Sequence, residues 1–123
     1  MPTAVSLFAL LIVNATVAVG QLLFKHLGLS IRGLALADAA ATLARQPELY
    51  AALALYGAAT LLWIWILGRM PLMLAYPWVG VAAIVVPLLS SYFFSEQVGP
   101  LFWLGAALIA LGIALTQWAG RGA

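Results

Sequence analysis

Asn14, Gln21 and Lys25 are the residues of this chain with the chemistry and the spacing to act together. They stand seven and four positions apart, which puts them on one face of a helix. Two neutral amides and an ammonium offer hydrogen-bond donors and one positive charge, the complement of an anion such as a phosphate. A second reading stays open beside it. Buried amides also bond between helices, at about 1 kcal/mol each in an apolar solvent, and a lysine at a helix end snorkels toward water. Trp63, Trp65, Tyr76 and Trp78 form a second cluster. Such rings either mark a membrane interface or wall a pocket, where an amphipathic face suits a sugar or an isoprenoid chain. Arg69 supplies another cation.

Catalytic constellations are missing. There is no cysteine, one histidine (His26), no paired carboxylates, no phosphate loop and no Ser-His-Asp arrangement. The expectation is a protein that is not an enzyme, with no metal and no cofactor.

The elements that position these residues follow from composition. Of 123 residues, 67% are hydrophobic and 7% charged, with a mean hydropathy of +1.16. A soluble domain would need more charge to cover its surface. Five basic residues against three acids are too sparse for a nucleic-acid groove. Four apolar stretches, about 4–24, 50–67, 72–94 and 101–118, reach the roughly 17–25 residues that cross a bilayer. In lipid the backbone must bond to itself, so these are helices. The expected fold is all-α: a single membrane domain over residues 1–123, built as a four-transmembrane-helix bundle. The first stretch has no basic flank and exceeds the apolar core of a signal peptide, so it reads as a span.

The connections differ in length. Gly68 to Pro71 is tight enough to force an antiparallel hairpin. Ser95 to Pro100 is a polar turn whose proline suits the start of a helix. Lys25 to Leu49 is long, and within it Ile31 to Leu43 reads either as a short interfacial amphipathic helix, with Arg32, Asp38 and Arg45 toward water, or as a loop. Lys25, Arg32 and Arg45 fall on one membrane side. Arg69, Arg121 and the amino terminus fall on the other, a balance that leaves orientation undecided. Pro77 and Pro87 remove backbone donors from the third span and invite kinks. Gly105 and Gly112, with Ala106, Ala110 and Ala114 nearby, let a second helix come close to the fourth. Internal packing, a homodimer, a heterodimer and a monomer all remain open.

No aspartate or glutamate sits centrally in any span. Proton-coupled export of cations calls for an embedded carboxylate, so that chemistry is disfavoured.

Gly20-Gln21 with Lys25, then Trp63 to Leu67, Pro71, Ala75-Tyr76-Pro77, Glu96 and Gly105 to Gly112, in that order, resemble the drug/metabolite transporter superfamily. Two four-helix branches compete. The small multidrug resistance exporters share the Trp, Pro and Ala-Tyr pattern and the glycine spacing of the fourth helix. Their defining glutamate would fall near Val17 and is replaced. The chain looks more like the small subunits that flip aminoarabinose-phosphoundecaprenol across the bacterial inner membrane, which match Gly20-Gln21, Lys25 and Ala75-Tyr76-Pro77 and have a longer first connection. That resemblance implies an inner-membrane carrier of a polyprenyl-phosphate lipid, with Asn14, Gln21, Lys25 and Arg69 toward the headgroup and Trp63 and Tyr76 as pocket walls. The alternatives are a transporter of small cations or metabolites and an accessory subunit of a membrane complex.

Overall fold

The computed structural model describes residues 4–121. Helix α1 runs Ala4–Ser30, α2 Leu36–Ala44, α3 Pro47–Leu67, α4 Leu72–Ala75, α5 Val79–Phe94 and α6 Pro100–Arg121; a 3-10 turn over Tyr76–Trp78 joins α4 to α5. Four helical stretches are long and apolar enough to cross a membrane, with α4, the 3-10 turn and α5 together forming the third. The expected all-α four-helix architecture is the one observed.

Hydropathy marks where the apolar run stops, not where the helix stops. At 27 residues, α1 is about 40 Å long and outreaches a bilayer core of about 30 Å. Lys25 and His26 therefore belong to its last turns. Helix α3 begins earlier than its apolar run, because Pro47 suits the first helical turn and Glu48 favours the positive end of the helix dipole. In the first connection a helix does form, but it starts only at Leu36. The turn before it contains Gly33 at φ +82°, which a glycine adopts without strain. The two prolines of the third span act differently. Pro77 lies in the 3-10 interruption, whereas α5 continues through Pro87.

Helix α1 is central, packed chiefly on α3 and then on α5, while α6 lies against α5, α4 and the 3-10 turn. The buried hydrophobic cluster is at the end of the bundle that holds the α3–α4 turn. There Ala9, Leu10, Ile66, Met70 and Ala75 are buried together, with Leu62, Trp63 and Trp78 against them. Gly20 makes room for a side chain of α3 against α1, since a Cβ there would occupy the space of the Tyr56 ring. Gly80 does the same for α5 and α6: its Cβ would lie 3.0 Å from Ile113 Cδ1 and 3.3 Å from Ile109 Cγ2. By contrast α6 commits little of itself to the bundle. Ala106 is its one buried residue among those described.

Candidate functional site

The up-down path of the helices brings the end of α1 beside the α5–α6 connection. Ser95 closes α5 in the left-handed conformation at φ 55°. The next residue, Glu96, then meets Lys25, with Nζ 3.3 Å from Oε1 and both side chains partly solvated. Hydrogen bonds from the buried Ser90 and from Lys25, with the lysine's charge, outweigh partial desolvation and hold the Glu96 carboxyl below the usual carboxylate range. On the stretches of α1 and α5 that lead to this pair, Val19, Leu22 and Leu23 of α1 and Phe93 and Phe94 of α5 line an almost wholly apolar cleft of about 380 Å³. A cation at the head of an apolar seam is an amphiphile's profile in reverse.

Gln21 points across to α3, where its Nε2 donates to the Tyr56 hydroxyl. The Tyr56 ring stacks on Phe24 at a centroid distance of 5.1 Å. It also lines a second, open cleft of about 210 Å³ with Val13, Val17, Ala59, Thr60, Trp63, Tyr76 and Val79. The structure thus brings Trp63 and Tyr76 together, edge to face at 6.5 Å, and Tyr56 connects their cleft to Gln21. This cleft is smaller than the roughly 300–1,000 Å³ of small-molecule pockets, so it can seat part of a ligand but cannot enclose a sugar phosphate. Val17, the position near which the exporters' glutamate would fall, is one of its apolar walls.

Asn14 is not gathered into either cleft. It is buried, and its Nδ2 donates to the Leu10 carbonyl of its own helix at 2.9 Å. Arg69 is at the opposite end from Lys25. Its guanidinium lies 3.7 Å from the centre of the Trp65 ring, and Nη1 donates to the Trp65 carbonyl at 3.3 Å. A Cβ added at Gly105 or Gly112 would meet no neighbour within 4 Å, so the described chain packs nothing against them.

Tyr56 is the residue that sequence reasoning overlooked. The signal was present: Tyr56, Thr60 and Trp63 recur at four and three positions along one face of an otherwise apolar helix.

Comparison with curated proteins places the chain. A relative from Proteus mirabilis is 34% identical over 108 residues, an alignment covering 88% of this chain and 93% of the relative. Its name is probable 4-amino-4-deoxy-L-arabinose-phosphoundecaprenol flippase subunit ArnE. The chain belongs to the ArnE family. Relatives of the same name from Aeromonas hydrophila and Pseudomonas savastanoi pv. phaseolicola are 41% and 40% identical over 71 and 69 residues. Those two alignments cover 58% and 56% of this chain, which spans about six-tenths of either relative, 62% and 60%. No family model and no solved structure matches. With four apolar helices of spanning length, this ArnE-family chain is a multi-pass protein of the bacterial inner membrane.

Proposed function

We propose that this chain is a subunit of a flippase that moves an undecaprenyl-phosphate-linked sugar across the inner membrane. The observation that carries the reading is the Lys25–Glu96 pair, which follows, two or three residues on in each case, the stretches of α1 and α5 that line the apolar cleft and joins the lysine to a carboxylate that an incoming phosphate can replace. Lys25 and Gln21 contact the headgroup, the seam of Val19, Leu22, Phe93 and Phe94 receives the start of the isoprenoid chain, and Trp63 and Tyr76 wall the adjoining cleft. Arg69 contributes positive charge at the far end. The rest of the lipid tail stays in the bilayer, so a small subunit need shield only the headgroup. Support for the substrate comes from the names of the relatives. The apolar Val17 supports it further, because the cleft has no fixed negative charge to hold an organic cation.

A flippase subunit implies a second chain. We place that contact on α6, where Gly105 and Gly112 leave room for a neighbouring helix to approach backbone to backbone.

Purified protein is expected to bind undecaprenyl phosphate. Lys25→Ala should weaken that binding about tenfold or more, the value of a hydrogen bond to a charged group, while Arg32→Ala should leave it within about twofold. Equal losses in the two variants would reduce the role of Lys25 to surface electrostatics and defeat the reading.

A further inference from the structure

At the end of the bundle opposite Lys25, the structure contains a cleft of about 500 Å³, lined among others by Leu7 of α1, Leu74 of α4, Trp78 of the 3-10 turn, and Ile113, Gln117 and Arg121 of α6. Its volume falls within the range of small-molecule sites. Nothing derived above uses it.

The chemistry of its lining is one-sided. Trp78 Nε1 is buried and has no acceptor, the one such side-chain group among the described residues. Burying a donor unpaired is unfavourable, and because Trp78 lines the cleft, a shift of its ring that brings the N–H to an acceptor there recovers the loss. Gln117 donates one N–H to the Leu74 carbonyl at 2.8 Å, capping the junction of α4 and the 3-10 turn, and its amide carries a second N–H. Arg121 adds a guanidinium at the rim, with no acidic partner among the described residues. No aspartate or glutamate lines the cleft. The charge of the whole molecule has the same bias. Asp38, Glu48 and Glu96 all belong to the Lys25 end, where Lys25, Arg32 and Arg45 balance them, whereas the far end carries Arg69 and Arg121 with no acidic side chain. Since Arg69 is stacked on Trp65, Arg121 is the better placed of the two to receive an anion. The remaining walls, Leu7, Ile113 and Trp118, are apolar.

We infer that this cleft is a second headgroup site, in which Arg121, Gln117 and the indole N–H of Trp78 receive the phosphate of a membrane amphiphile whose chain leaves along Leu7, Ile113 and Trp118. Its role as the other terminus of a transit path rests on the flippase reading; its ability to bind does not. Donors without carboxylates select an anion, and apolar walls select one attached to a hydrocarbon, so free phosphate satisfies only half of the site.

The test uses the full-length chain in detergent, with farnesyl phosphate, inorganic phosphate and farnesol as probes, read by native mass spectrometry and by the ligand-induced rise in melting temperature. Wild type is expected to bind two farnesyl phosphates. In the Lys25→Ala background one should remain, and adding Arg121→Gln should weaken it about tenfold. Trp78→Phe keeps the ring and deletes the donor. It should melt no lower than wild type without ligand, yet lose about threefold or more in affinity. Inorganic phosphate or farnesol alone should bind at least about tenfold more weakly than farnesyl phosphate, because each satisfies one half of the lining. Unchanged affinity in both Arg121→Gln and Trp78→Phe overturns the site, as does inorganic phosphate binding as well as the farnesyl ester, which would make it a free-phosphate site. Two sites with no transport in proteoliposomes containing the partner would overturn the flippase reading and leave this one standing.

Discussion

Replacing Gly20 by alanine tests the contact on which the α1–α3 pairing depends. A Cβ at that position coincides with the Tyr56 ring, whose Cδ2 would be 2.9 Å away. The ring has little freedom to yield: it is stacked on Phe24 and receives the Gln21 amide on its hydroxyl. The helices must therefore move apart or the ring must leave its rotamer, at the 1–3 kcal/mol typical of overpacking, or about 2 kcal/mol here. Against this, alanine in place of a helical glycine gains about 1 kcal/mol. The single variant is then expected to lose about 1 kcal/mol. In a Tyr56→Ala background the obstruction is gone, and the same substitution should stabilise by about 1 kcal/mol. The two effects differ by about 2 kcal/mol, a coupling well above the scatter of independent sites. Reversible unfolding of all four proteins in mixed detergent micelles, followed by circular dichroism, measures the cycle. Equal effects of Gly20→Ala in the two backgrounds would refute the reasoning, because they would mean that Tyr56 does not occupy the space over Gly20.

Other expectations follow from the same geometry. Because its neighbours depress the Glu96 pKa, the Lys25–Glu96 pair contributes fully above the ordinary carboxylate range and is lost as pH falls through the lowered value. The melting-temperature difference between wild type and Glu96→Gln should thus be constant near neutrality and vanish in acid, and a difference that grew in acid would contradict the assignment. On the proposed headgroup role of Lys25, Glu96→Gln at neutral pH should also tighten undecaprenyl phosphate binding, measured by titration, since the phosphate would no longer compete with the carboxylate. Arg69→Gln removes a guanidinium stacked on Trp65 and should cost about 0.5–1 kcal/mol in detergent unfolding. Gly112→Leu meets open space within the chain, so the isolated subunit should differ in stability from wild type by no more than about 0.5 kcal/mol or exceed it, while cross-linking to the second chain proposed to dock on α6 should be abolished.

The spans were legible in the sequence because hydrocarbon thickness imposes a length that composition reveals directly. Helix ends were less so: nothing in the apolarity of residues 4–24 says that α1 continues to Ser30, since Lys25 and His26 are polar yet do not break a helix. Lys25 could be singled out by its charge, but its pairing with Glu96 depends on how the α5–α6 turn is closed by Ser95, a conformation unusual for serine. Asn14 and Gln21 share a helical face in sequence, yet one bonds to its own backbone and the other to Tyr56. Periodicity fixes a face but not which neighbour fills it. The cleft at Trp78 and Gln117 was invisible for the same reason, being assembled from three separate segments.

The sparse burial of α6 bears on how variation in this helix should be understood. Leu101, Leu104, Leu108 and Leu111 are each more than half exposed, and the chain packs nothing over Gly105. Exchanging one aliphatic group for another there opens no void inside the subunit. A deep mutational scan of α6 would accordingly register what surrounds the subunit, whether lipid or neighbour, with folding defects confined to the few positions that meet α4 and α5. Constraint at Leu101 or Leu104 would be the outline of an adjacent molecule, drawn in fitness.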